Sequence, residues 1–350
     1  MTIMIRVLSV ALLGLLSGSE AFRSLSQPTR ATRFLSSTAV PETAPLPLHT
    51  FAGQVEQALT QRFENIDRVL ESWRLLDRDY EHREYFGSAE NPEDSRCHQQ
   101  CHSFVPGLSV RPFWENMEWT KQLEQAYPQI QKELKNVLNN PDLLAQGNNV
   151  WAGALTEDAS SYGVGWKTLV LKDRGYWDPV NAQLFSQTAK AVKNLPAVEI
   201  FFASMAPKSD IAWHSDNTNF CLTSHLAVDI PGHNECTLTI GDETRAWVNG
   251  EVMVFDTSLM HAATNPTDKT RYILMLRVWH PELTEQEKGA LQFIYDCLTF
   301  PDLVSDNVNL RQRAELEVAA AKTFPEPPKG VGKKMGFGGG SSKPTKRRKK

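Results

Sequence analysis

The chain has 350 residues, 41% of them hydrophobic, enough for one large domain or two small ones with a sizeable core. A formal net charge of -4 hides an asymmetry: residues 1–40 carry four Arg and one Glu, residues 331–350 carry eight Lys/Arg and no acid, and residues 41–330 keep 25 bases against 40 acids. So acidic a body argues against a nucleic-acid groove in the folded part. The cysteines, Cys97, Cys101, Cys221, Cys236 and Cys297, are too few and odd in number for a disulfide framework, and no P-loop, G-x-G-x-x-G or G-x-S-x-G occurs.

Met1 to Ala21 reads as a secretory signal. Arg6 supplies its positive start, Val7 to Leu16 is an apolar run too short for the roughly 30 Å of bilayer hydrocarbon, and Ser19 and Ala21 are small residues before cleavage. Phe22 to Val40 holds Arg23, Arg30 and Arg33 among Ser and Thr with no acid, the composition of an organelle transit peptide. A signal peptide joined to a transit peptide with Phe at the junction resembles the bipartite plastid leaders of diatoms and related algae. Plastid import is therefore expected, with simple secretion as the alternative; sparse cysteines fit the plastid better. No stable membrane span is expected.

Residues 41–48 are Pro-rich and read as a linker. From Phe51 to Asp77 the apolar spacing is helical, through Val55, Leu59, Phe63, Ile66, Val69, Leu70, Trp73 and Leu76. Residues 78–103 read as a charged loop. Cys97-His98-Gln99-Gln100-Cys101-His102 lacks the spacing of a common zinc site and has no second pair, so a solvated loop or helix start is expected there. Trp119 to Leu144 is helical again, with Leu123, Ile130, Leu134 and Val137 on one side and an interruption at Asn139-Asn140-Pro141.

After Gly163 the pattern turns to strands: Gly165–Leu171, Ala197–Ala206, Cys221–Ile230, Cys236–Ile240, Thr244–Val248, Glu251–Phe255 and Arg271–Trp279. Gly241-Asp242 and Asn249-Gly250 are turn signals. Many short strands with such turns predict a two-sheet jelly roll or related barrel. Helices follow at Glu285–Cys297 and Leu310–Ala321. The Pro/Gly/Ser/Lys-rich tail from Phe324 reads as disordered. Trp213, Trp247 and Trp279 are expected in the core.

Chemistry concentrates at Trp213-His214-Ser215-Asp216. On extended backbone, residues i and i+2 share a side, so His214 and Asp216 can bind one metal together. His261 follows at a distance that lets a facing strand supply the third ligand. Two His and a carboxylate on one face of an octahedron leave room for a bidentate cosubstrate and O₂, which suits Fe(II). Arg271 opens the last strand. A buried guanidinium there can grip the far carboxylate of 2-oxoglutarate with two parallel hydrogen bonds, and His225 is a second candidate for a cosubstrate carboxylate.

These residues resemble the aspartyl/asparaginyl β-hydroxylase family of oxygenases. The resemblance is carried by Phe104-Val105-Pro106-Gly107-Leu108, Pro112-Phe113-Trp114, Met205-Ala206-Pro207, His214 with Thr218-Asn219, His225-Leu226, Gly250-Glu251, Phe255-Asp256, His261, Arg271 and Val278-Trp279-His280-Pro281-Glu282-Leu283. It implies a mostly β, cupin-like double-stranded β-helix core with flanking helices. It also implies an Fe(II)- and 2-oxoglutarate-dependent hydroxylase with iron on His214 and His261 and cosubstrate on Arg271 and His225. The expected partners are O₂ and a peptide, amino-acid or other small-molecule substrate; a lipid acyl chain is the alternative, and an iron-binding sensor without turnover a third. Two departures stand out. The animal members have Gly where Asp216 stands and Arg where Thr223 stands; Asp216 restores an ordinary triad of His214, Asp216 and His261. The expected organisation is a signal peptide over 1–21, transit peptide and linker over 22–45, a helical part over 46–163, the β core over 164–300, a C-terminal helix over 301–323 and a disordered basic tail over 324–350.

Overall fold

The computed structural model describes residues 43–86, 95–153, 159–163 and 165–326. The expected signal and transit segments over 1–40 and the tail from 327 lie outside the described residues. Helix α1 (Phe51–Arg62) begins where the Thr50 hydroxyl accepts from the Gly53 backbone, and α2 (Asp67–Asp77) follows. Their apolar stripes, Val55 and Leu59 on one and Val69 and Trp73 on the other, close over a cluster that includes Phe293 and Cys297. The expected linker is partly built in: Leu46 is buried, and its N–H donates to Glu56 at 3.0 Å.

Residues 78–103 are not simply a loop. They contain β1 (His82–Tyr85) and β2 (His98–Ser103), paired antiparallel. Alternate residues of β2 are buried, so Cys101 is enclosed rather than solvated, and Cys97 before it is buried too. Here tertiary pairing overrides a charged local composition. After β3 (Phe113–Trp114) comes α3 (Thr120–Leu138), which buries Leu123, Ile130, Leu134 and Val137 as their spacing requires. The interruption at Asn140-Pro141 is the start of a short helix, α4 (Pro141–Leu144), capped by the Asn140 side chain on Leu143.

The short β4 (Ala152–Gly153) and α5 (Ala159–Tyr162) lead to β5 (Trp166–Asp173) and β6 (Tyr176–Trp177). Two helices then interrupt the run of strands, α6 (Pro179–Leu184) and α7 (Ser186–Val192), an addition to the expected all-strand region. The remaining strands are β7 (Ala197–Met205), β8 (Ser209–His214), β9 (Asn217–Thr218), β10 (Cys221–Asp229), β11 (Thr237–Ile240), β12 (Glu243–Ala246), β13 (Val252–Phe255), β14 (His261–Asn265) and β15 (Arg271–Trp279). Gly241, at φ +58°, makes the tight β11–β12 turn that a side chain would strain. Helices α8 (Glu285–Thr299) and α9 (Val308–Lys322) close the chain. Just beyond α9, Phe324 sets its ring edge-on to Trp177 at 5.0 Å, so the tail starts packed.

The large sheet runs β3-β13-β10-β15-β7-β5-β4 and the small one β12-β11-β14-β8. Leu222, Leu226, Leu274 and Leu276 face outward under α3, α6 and α7. The intervening residues Ala227, Ile273 and Met275 face inward and meet Ile211, Leu238, Ile240 and Ala263 of the small sheet. This two-residue alternation on two facing sheets encloses a core between them. The architecture is a cupin-like double-stranded β-helix with flanking helices. No helix among the described residues is long and apolar enough to cross a membrane.

One loop anchor yields a quantitative expectation. The Asn219 side chain accepts from Val105 N–H at 2.8 Å and donates to Val105 C=O at 2.9 Å, and Asn219 and Val105 are both buried. Asn219→Ala strands two buried backbone groups and is expected to cost roughly 2–4 kcal/mol, read as a loss in urea midpoint at unchanged slope. A variant melting like wild type would show water taking over both bonds.

Candidate metal centre and carboxylate pocket

His214 ends β8 and His261 begins β14, and the two strands pair with these residues opposite each other. Their ring centroids are 4.2 Å apart. In each, Nδ1 lies 2.8 Å from the carbonyl two residues earlier, Ala212 for His214 and Leu259 for His261. A carbonyl only accepts, so Nδ1 carries the proton and Nε2 presents its lone pair. Burial, and then the neighbouring His214, push the His261 imidazole down to about 4, which keeps it neutral and able to ligate.

Asp216 completes the set. One ligand atom from each of His214, Asp216 and His261 lies within 4.8 Å of the others, the only such cluster among the described residues. Asp216 Oδ1 is 3.6 Å from His214 Nε2. The Asp216 N–H donates to Thr257 C=O at 2.8 Å, and the Ser215 hydroxyl donates to Gln100 C=O at 2.5 Å, which pins the turn. Burial would raise the Asp216 carboxyl, but Arg277 first and then the two imidazoles outweigh it and hold the carboxyl below the usual carboxylate range. Two imidazoles on paired strands and a carboxylate from the turn after β8 suit a divalent transition metal with open positions.

A second feature lies on β15 and β10. Arg271, on β15, is fully buried, and none of its three side-chain nitrogens has a hydrogen-bond partner. Its guanidinium carbon lies 4.2 Å from the Trp247 ring centroid and 5.7 Å from that of Trp166. Burial lowers its pKa to about 10, so it remains charged at neutral pH. His225 is also buried with both ring nitrogens unpartnered, and burial, with Arg271 and His261, holds it neutral. The ring of Trp247 stacks at 5.8 Å from that of His225, and its Nε1 too has no partner. An orphaned guanidinium and an orphaned imidazole thus lie against one indole whose N–H is itself unpartnered, and a carboxylate would satisfy such donors.

The structure thus gathers His214, Asp216 and His261 as a donor set, with buried, unpartnered Arg271 and His225 in the same β core. Three groups were not anticipated. Tyr162 of α5 donates to Asp216 Oδ1 at 2.9 Å and lies edge-on to His214 at 4.7 Å. Arg277 donates to Asp216 Oδ2 at 3.0 Å. Trp247 was expected only as core, yet it stacks on Arg271. Its place three two-residue steps along the strand from Arg271, on the same face, could have flagged Arg277; nothing local marks Tyr162. Of the other expected core tryptophans, Trp213 is exposed and Trp279 is half-buried against Tyr295 and Phe220. His280 does not reach the centre: its Nε2 lies 3.1 Å from Ser109 C=O, Trp114 lies edge-on to its ring, and Ser109 N–H donates to Glu282. The Val278–Leu283 run therefore braces the 104–114 segment.

Fold and site together define a double-stranded β-helix with a two-histidine, one-carboxylate centre. A family model described as Aspartyl/Asparaginyl beta-hydroxylase matches residues 124–281. The chain is 27% identical over 199 residues to an aspartyl/asparaginyl beta-hydroxylase of Homo sapiens, covering 54% of this chain and 25% of that protein. It is 28% identical over 160 residues to an ornithine lipid ester-linked acyl 2-hydroxylase of Rhizobium tropici, covering 45% of this chain and 56% of that one. Among solved structures, a Cupin 2 conserved barrel domain protein from Salinispora arenicola aligns at TM-score 0.24 and 16% identity, covering 36% of this chain and 82% of its own. The chain spans a quarter of the human relative's length and just over half of the rhizobial one's. Over the matched stretch the chain is similar to the aspartyl/asparaginyl β-hydroxylase family.

Proposed function

We propose that the chain is an Fe(II)- and 2-oxoglutarate-dependent dioxygenase that hydroxylates a C–H bond of an aspartyl, asparaginyl or other amino-acid or peptide substrate. The observation that carries this reading is Arg271, a buried, charged guanidinium with no protein partner, set in the same barrel as the His214, Asp216 and His261 donors. Leaving such a charge unpaired costs several kcal/mol, about what a bound carboxylate could return. Bound iron with 2-oxoglutarate and O₂ supplies the oxidising power. The protein's own residues do the rest. The two imidazoles and the carboxylate hold the metal and leave open positions. Arg271 takes the distal carboxylate of the cosubstrate as a fork, Trp247 and Trp166 wall it from water, and His225 offers a neutral N–H to a carboxylate oxygen.

A second reading, hydroxylation of a lipid acyl chain, is favoured by the rhizobial relative and by Asp216, which gives this chain a complete triad. An iron-binding sensor without turnover is the third. Succinate formation from 2-oxoglutarate, dependent on added Fe(II), is expected even without substrate. Iron binding with no succinate at any iron concentration would leave only the sensor. Incubation with peptide, amino-acid and lipid pools, followed by mass spectrometry for the gain of one oxygen atom, then separates the first reading from the second. For localisation, a fusion of residues 1–40 to a fluorescent protein is expected to enter the plastid of a diatom host; secretion or cytosolic retention would overturn that assignment.

A further inference from the structure

We propose that Arg277 is a positioning residue for the metal's carboxylate: it fixes Asp216 so that Oδ1 faces the two histidines. The proposal rests on the metal reading of the triad. Arg277 is on β15, six residues beyond Arg271, and by the two-residue alternation it faces the same interior. It is buried and donates from Nη1 to Asp216 Oδ2 at 3.0 Å, while its Nε lies 3.7 Å from Glu199. The oxygen it takes is the one turned away from His214. The other, Oδ1, is 3.6 Å from His214 Nε2 and accepts from Tyr162. With Oδ2 committed to a guanidinium, Asp216 keeps the lone pair of Oδ1 that Tyr162 does not occupy to ligate from a fixed direction, which favours monodentate binding and leaves coordination positions for other ligands.

The strand register ties this to the absence of a cation at 223. Thr223 on β10 and Glu199 on β7 stand directly opposite Arg277 on either side. The Thr223 hydroxyl is spent on Thr257 at 3.0 Å, beside the carbonyl that holds the Asp216 N–H. An Arg at 223 would set a second guanidinium against Arg277 on adjacent strands, where like charges repel. The cation at this level of the barrel therefore comes from β15 instead of β10, and it comes with a carboxylate at 216 to receive it. Asp216, Thr223 and Arg277 form one unit.

Binding of Mn(II) to the purified chain, read from the electron paramagnetic resonance of the free ion, tests the idea in a double-mutant cycle. Arg277→Gln is expected to weaken Mn(II) binding roughly tenfold or more, the loss typical when a group that orients a ligand is removed. Arg277→Lys, which keeps a charge between Asp216 and Glu199, should lose less and serves if the Gln variant does not fold. In an Asp216→Gly background either substitution should change affinity by less than about twofold, because Arg277 then has no ligand to position. Equal losses in both backgrounds would reduce Arg277 to a general structural role, and tighter binding in Arg277→Gln would make it a competitor of the metal; both outcomes overturn the proposal. Absence of Mn(II) binding by wild type would instead overturn the metal reading itself and this inference with it.

Discussion

Replacing His214 or His261 by Ala is expected to abolish Fe(II)-dependent succinate formation, since each removes one of three protein donors. The backbone around them should survive. Each imidazole hydrogen-bonds to a carbonyl two residues earlier in the chain, and β8–β14 pairing does not depend on either ring. Melting temperature should therefore change little while metal affinity collapses. Asp216→Gly is the graded case. It removes a ligand but also leaves Arg277 beside Glu199 without its main partner. Metal affinity should fall by on the order of ten- to a hundredfold, at least the loss seen for a supporting group, with partial recovery in excess Fe(II). The measurement is an iron titration of 2-oxoglutarate decarboxylation for wild type and the three variants. If Asp216→Gly matched wild type at every iron concentration, Asp216 would not be a ligand, and the centre would be a two-histidine one.

Arg271 is expected to show the opposite coupling of stability and function. Its unpaired buried charge destabilises the unliganded protein, so Arg271→Met, similar in length and apolar, should leave melting temperature unchanged or raised. The same change should raise the 2-oxoglutarate requirement roughly a hundredfold or more, because truncating a buried charge partner typically costs 2–5 kcal/mol in binding and each 1.4 kcal/mol is tenfold. Arg271→Lys should sit between, at about tenfold or more, since a point charge replaces a two-pronged fork. Mn(II) affinity without cosubstrate should hold in both variants, as Arg271 hydrogen-bonds to none of the three donors. Thermal shift against 2-oxoglutarate with Mn(II) present reads all of this. An unaltered cosubstrate dependence in Arg271→Met would remove Arg271 from the pocket.

The pocket also has an expected polarity. His225 is neutral because burial and two neighbouring bases disfavour its charged form. It can then donate one N–H while Arg271 supplies the charge, so the pocket as a whole suits a single carboxylate. Burial raises the carboxyls of Glu199, beside Arg277, and of Asp256, just after β13, each to about 7.

Much of this was legible in the chain itself. The i, i+2 spacing of His214 and Asp216 and the alternating strands Cys221–Ile230 and Arg271–Trp279 are local patterns, and a local pattern determines which face a side chain takes. The helical spacing of Leu123, Ile130, Leu134 and Val137 is of the same kind. What those patterns could not convey is which strand lies beside which. Tyr162 reaches Asp216 from a short helix far along the chain, β1 and β2 form inside a charged stretch because each finds a partner, and α6 and α7 fill the space over the sheet that α3 leaves open. Arg277 reads in isolation as an ordinary strand arginine. Only the register that sets it between Thr223 and Glu199, with Asp216 within hydrogen-bond reach, makes it part of the centre, because hydrogen-bond ladders and barrel closure are pairings between distant segments, and no single segment encodes its partner.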